Sequence, residues 1–285
     1  MNLINTQNQK LVQSTDTNSL NYKIDTKQTI ISMGNSQESL ITYEVSKRFI
    51  KKDHVGYLFE VLVNKRERNT ENCNQEIDDY LFKLQEKVIL YTNKIGQIIS
   101  IANFGEIVET WEDIKNGFRK KFKKDKDIDQ VMEKMSLIMS KNDNFLTLYH
   151  KSEISALLFP PIYIDGLELP DNQVFQYKVI PYLFGMFSAP FKLLTKHLKK
   201  NSDTNLLAIG RSGFIDNSLF EKTAVQLMYR EMYKSPSMNA DINCNYSDML
   251  YLNQENNIDS GYQLLDISIG EVYSFNQFSN ATLLN

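Results

Sequence analysis

The sequence predicts an α+β fold in which a large, curved antiparallel sheet of two pseudo-repeated halves is packed by helices on one face. Three observations carry this. Residues 88–101 (VILYTNKIGQIISI) read as two short strands joined at Lys94, Ile95 and Gly96, and 262–275 (YQLLDISIGEVYSF) repeat the design. Setting Gly96 on Gly270 places Leu90 on Leu264, Ile95 on Ile269, Ile98 on Val272 and Ser100 on Ser274. Two longer hairpins, VSKRFIKKDHVGYLFEV from Val45 and LTKHLKKNSDTNLLAIG from Leu194, share the order apolar, hydroxyl, Lys, basic, apolar, charged turn, apolar strand. Between the repeats, Ile107, Trp111, Ile114, Phe118 and Phe122 recur at helical spacing. Duplication and a chance likeness of strand patterns both account for the match.

The elements follow in order. Residues 1–38 are rich in Asn, Gln, Ser and Thr and read as a polar arm, with strand-like pieces only at 22–24 and 29–33, able to add to a sheet edge. Residues 40–64 form a long hairpin: Tyr57, Phe59, Val61 and Val63 alternate, leaving one apolar and one polar face. A polar loop at 66–75 and a short helix at 77–86 precede the 88–101 hairpin. The helix at 106–122 carries Glu106, Glu109, Glu112 and Asp113 at its start and a basic run, 119–126, at its end, which suits the helix dipole. A second helix spans 127–140. A third covers 144–159, is expected to break at Ser152, a good N-cap, and stops at Pro160 and Pro161. The segment PYLFGMFSAPF, punctuated by Gly185 and two prolines, cannot be a regular helix or a central strand throughout. A hairpin at 191–210, a helix at 217–233, strands within 239–253 and the second short hairpin complete the chain. The expected organisation is an arm at 1–38 and one domain at 39–285. That domain divides into a first half 39–104, a helical insert 105–160, a crossover 161–190 and a second half 191–285.

Composition narrows the function classes. With 42% hydrophobic and 24% charged residues, the 285-residue chain can bury an ordinary globular core. A net charge of −3 makes no global electrostatic demand for nucleic acid or an anionic membrane, and neither is expected as a partner. Cys73 and Cys244 belong to no metal-binding spacing and read as free thiols. There is no basic region followed by an apolar run near residue 1, and no stretch approaches a membrane span, so the expected location is cytoplasmic.

The turn pattern in LLDISIGEVYSF resembles that of uncharacterised proteins of Bacteroidota-type genomes, which implies a bacterial protein. The layout of hairpins and central helices is similar to open β-half-barrel carriers of the lipoprotein-carrier type, which implies a curved sheet backed by helices. The resemblance includes no catalytic or ligand motif, and such carriers are exported.

No chemistry-bearing motif stands out. His54, His150 and His197 are scattered, with no HExxH or His/Cys spacing; there is no GxxxxGK[ST], GxGxxG or GxSxG, and no cofactor is expected. The leading expectation is a non-enzymatic adaptor or structural subunit that docks a protein partner. Its contact segment would be the crossover residues Tyr182, Leu183, Phe184, Met186 and Phe187. The alternative is a carrier of a hydrophobic small molecule or lipid between sheet and helices, lined by Trp111, Phe118, Met132, Met135 and Met139. A hydrolase with a dispersed site is the third. A carrier requires a cavity of some hundreds of Å³, whereas a docking subunit requires a packed interior.

Overall fold

The computed structural model describes residues 11–69, 73–163, 174–197 and 205–284. Among the described residues, eleven strands form one open, wholly antiparallel sheet. In chain order they are β1 (Leu20–Ser32), β2 (Asn35–Lys52), β3 (Gly56–Arg68), β4 (Lys87–Asn93), β5 (Ile98–Ile101), β6 (Val174–Phe184), β7 (Phe187–His197), β8 (Leu207–Ile215), β9 (Ile242–Leu252), β10 (Ile258–Ile269) and β11 (Tyr273–Leu284). Across the sheet the order is β5-β4-β3-β2-β1-β11-β10-β9-β8-β7-β6. Helix α1 (Cys73–Leu81) links β3 to β4. Helices α2 (Phe104–Lys121), α3 (Ile128–Met139), α4 (Asn142–Tyr149) and α5 (Glu153–Leu158) form the central insert, and α6 (Lys222–Met232) links β8 to β9.

Each half therefore runs three strands, helix, two strands, and lies in the sheet in the same sense. β11 is the additional strand, inserted between β1 and β10. This places β4–β5 in correspondence with β9–β10, one strand away from the match made by aligning Gly96 with Gly270. A tight turn between alternating strands looks the same wherever it occurs, so local pattern cannot resolve a one-strand offset. Both glycines do adopt positive φ, +92° and +50°, as those turns require.

The stretch expected as a polar arm supplies β1 and the start of β2. β1 is a central strand, paired with β2 on one side and β11 on the other. Its period-two burial of Tyr22, Ile24 and Thr26, all with no exposed surface, anchors it despite its polar composition. The crossover segment is strand on both sides of Gly185. Pro181 falls on the edge strand β6, where the β6–β7 register breaks between Ile180 and Phe184, and a missing ladder hydrogen bond is tolerated there.

The helices cover one sheet face. Trp111, Phe118, Phe145, Leu157 and Leu158 pack with Tyr22, Val45, Phe59 and Leu90 in the larger apolar cluster, which also takes in Ile209, Leu250 and Ile258 from the second half. Val225 and Tyr229 of α6 pack with Phe191, Tyr246 and Ile267 in a second cluster on that face. No helix among the described residues is long and apolar enough to cross a membrane.

Candidate ligand-binding site

A row of polar side chains crosses the covered face between the two apolar clusters. Thr195, Arg211, Asp248, Gln263, Ser279 and Thr26 are successive register partners across β7, β8, β9, β10, β11 and β1, and each is at most 5% exposed. One row towards the larger cluster, β8, β9, β10, β11 and β1 carry Ile209, Leu250, Gly261, Ala281 and Ile24. One row the other way, the strands of the polar row carry Leu193, Gly213, Tyr246, Leu265, Gln277 and Gln28.

Buried polar groups demand partners, and most of the row finds them internally. Arg211 donates to Asp248 through Nε to Oδ1 (2.9 Å) and Nη2 to Oδ2 (2.5 Å). Tyr246 Oη donates to Asp248 Oδ2 (2.5 Å), and Lys178 Nζ of β6 donates to Tyr246 Oη (2.9 Å). Thr26 Oγ1 donates to Ser279 Oγ (2.9 Å). Two acceptors stay without a partner: Thr195 Oγ1 and Gln263 Oε1. Burial, with the neighbouring Arg211 charge adding to it, pushes the Lys178 amine down to about 8.

Two clefts flank α5 on this face, and a third, about 280 Å³, lies at the end of β3 against Arg66, Arg68, Asp79 and Phe82. The larger of the flanking pair, about 490 Å³, has a floor of Ile30, Ile41 and Tyr43 from β1 and β2, a wall at Phe82, and Leu148 and Ile154 opposite. Arg66 and Arg68 also reach it, for a specific reason. The β2–β3 register shifts between Glu44 and Val45, and beyond that bulge Arg66 and Arg68 fall opposite Tyr43 and Ile41 on the covered face. Without the bulge Lys65 and Glu67 would point inward. Arg66 lies over the Phe82 ring at 4.4 Å, and Asp78 and Asp79 of α1 pair with both guanidinium groups.

The smaller cavity, about 190 Å³, is floored by Leu265, Ile267, Tyr273 and Phe275, bounded by Ile180, Pro181 and Leu183, and reached by Lys178, Gln263 and His150. Burial and the Lys178 charge lower the His150 pKa. Lys151 lines both cavities. Between them, Gln28 Nε2 donates to Gln277 Oε1 (3.2 Å) and Gln277 Nε2 to Glu153 Oε1 (3.4 Å). Burial raises the Glu153 pKa, favouring its neutral form.

The residues singled out in the sequence lie elsewhere for the most part. Trp111, Phe118, Met135 and Met139 are buried in the larger cluster and Met132 is packed against it; none lines either cavity. Of the crossover residues, Phe184 is fully buried, Leu183 lines the smaller cavity, Phe187 is half-buried and Met186 at the turn is 75% exposed. Tyr182 lies on β6, with its side chain outside the described set, as is that of His197. His54 is exposed in the β2–β3 turn, so the three histidines do not converge. Among the described residues no group of His, Cys, Asp and Glu has metal-binding geometry. In the basic run, Arg119 pairs with Asp129 and Lys121 with Glu76. The polar row did leave a trace in the sequence. In β9 the inward phase reads Cys244, Tyr246, Asp248, Leu250, Leu252, a carboxylate in an apolar alternation.

No family model matches the chain, and no curated protein does. A solved structure described as “Lipid-protein interactions in lipovitellin” is similar at 10% identity with a TM-score of 0.48, over 98% of this chain and 26% of that one. The chain thus spans about a quarter of the length of that structure.

Proposed function

We propose that this is a binding protein for an elongated amphiphilic small molecule, held between the sheet and the α4–α5 pair. The observation that supports it most is the cleft of about 490 Å³, with the cavity of about 190 Å³ on the other side of the Gln28–Gln277 contact. The larger cleft has an apolar floor, while ten of its sixteen lining residues are polar or charged, so a ligand there needs polar groups as well as an apolar face. The lining differs from the one expected: the central helices fill the core, and α5 with β1–β3 and β10–β11 shape the site.

Protein docking remains the second reading. β6 is an edge strand, and Tyr177, Val179 and Met186 at that end of the sheet are more than half exposed.

Native mass spectrometry before and after organic extraction tests the first reading. The expected result is a co-purifying small molecule, or failing that a raised melting temperature on adding dodecanoate to the extracted protein. Ser39→Trp, which fills the larger cleft from the half-exposed end of β2, is expected to abolish either effect. A wild-type protein that carries nothing and ignores every amphiphile offered would overturn the proposal.

A further inference from the structure

The cavity at Lys178 differs chemically from the rest of the groove. Lys178 is half-buried on the covered face, where an ammonium drawn partly out of water is stabilised by a carboxylate partner. Among the described residues, none pairs with Lys178. The nearest candidate, Asp248, is already engaged on both oxygens by Arg211 and accepts the Tyr246 hydroxyl as well. Lys178 is left with the Tyr246 oxygen at 2.9 Å and the Tyr246 ring at 4.5 Å. Arg66 and Arg68, at the other end of the groove, are matched by Asp78 and Asp79. Among the described residues, the positive charge without a carboxylate partner is therefore at the Lys178 end.

A second, independent feature marks the same cavity. Gln263 is 5% exposed, reaches the cavity, and has an amide oxygen with no partner. A side-chain amide can turn to present either its oxygen or its NH₂ group. That oxygen is sealed from solvent where it stands, so the amide offers the cavity a hydrogen-bonding group only once its terminal torsion turns. The walls beyond it are apolar, with Leu265, Ile267, Tyr273 and Phe275 beneath. About 190 Å³ holds roughly six water-sized groups at about 30 Å³ each, enough for a carboxylate and the first few methylenes of a chain. The remainder of a longer chain would extend towards the larger cleft, on the far side of the Gln28–Gln277–Glu153 contacts.

We infer that this cavity is a head-group site for the carboxylate of a fatty acid, with Lys178 as its cation and the Gln263 amide, turned to present its NH₂ group, as a secondary donor. The inference rests on the amphiphile-binding reading above and names the ligand class for it.

Calorimetric titration of the extracted full chain with dodecanoate and with methyl dodecanoate, at one pH and salt concentration, tests it. These ligands share a chain and differ in the charge of the head. Wild type is expected to bind the acid at least about tenfold tighter than the ester, the size of one charge-assisted contact. Lys178→Met should lose that preference by weakening the acid and leaving the ester unchanged, while Lys178→Arg retains most of it. Should Lys178→Met fail to fold, Gln263→Leu serves in its place, with a smaller loss confined to the acid. Equal binding of acid and ester by wild type, or a preference that survives in Lys178→Met, overturns the head-group assignment and leaves the amphiphile reading standing. No binding of either ligand by wild type overturns both.

Discussion

Arg211 and Asp248 are 1% and 2% exposed at the side chain, and each is tolerable there only because of the other. Removing one partner strands a buried charge, which costs about 3–5 kcal/mol, whereas replacing both with apolar groups of similar volume is often close to neutral. In urea denaturation, Arg211→Met and Asp248→Leu are each expected to lower stability by about that amount, and the double variant by less than either. Lys47 gives a different signature. Its amine is buried, donates to the Leu158 carbonyl at 2.8 Å, lies over the Phe59 and Phe159 rings, and is pushed by burial to about 7. Unfolded, the same amine titrates at about 10.5. Between these values the unfolded chain binds more protons than the folded one, so stability rises with pH through that window. The burial penalty is fully present below about pH 7. Cys244, raised by burial to about 12, and the buried tyrosines act oppositely above about pH 9, where the unfolded chain sheds protons that the folded one keeps. The expected profile climbs from pH 7 to about 9 and then turns over. Lys47→Met should flatten the climb, as measured by denaturation midpoints across that range.

At the scale of elements, legibility followed whether local pattern or tertiary pairing decides the structure. The stripe at Ile107, Trp111 and Phe118 and the break at Ser152 are local, and both were readable. Ser152 is the N-cap of α5, its hydroxyl accepting from the Ser155 N–H at 3.1 Å. β1 was not readable as a central strand, because Thr26 and Gln28 are inward residues whose partners, Ser279 and Gln277, sit at the far end of the chain. Nor was the site. A bulge turns Arg66 and Arg68 inward, and a bulge leaves no mark on the alternation that precedes it. Lys178 and Gln263 look like solvated strand residues until the register brings them to one cavity. Since α5 lies between both cavities, its cap carries a prediction. Ser152→Ala should cost about 1 kcal/mol. It should also speed amide hydrogen exchange in Ala156, Leu157 and Leu158 more than in α2, a pattern that general destabilisation would not produce.

The whole molecule is held together by the β1–β11 seam. Most of the sheet is built from neighbours in sequence: β2 on β3, β4 on β5, β7 on β8, β9 on β10. The seam instead joins residues more than 200 positions apart, as in Thr26 with Ser279 and Gln28 with Gln277. Closing so long a loop costs entropy before any contact compensates for it, so pairing of this kind forms late in folding. The larger apolar cluster depends on that closure, because Ile209, Leu250 and Ile258 from the second half pack with Tyr22 and Val45 from the first. The Thr26–Ser279 hydrogen bond, between two side chains with no exposed surface, reports on the step. Thr26→Val and Ser279→Ala, made singly and together, should show a coupling of about 1 kcal/mol. If the seam closes after the rate-limiting barrier, that coupling appears in the unfolding rate and leaves refolding unchanged. Stopped-flow refolding that slows in the single variants would place the seam in the transition state, and the chain ends would then have to meet before the two half-sheets are complete.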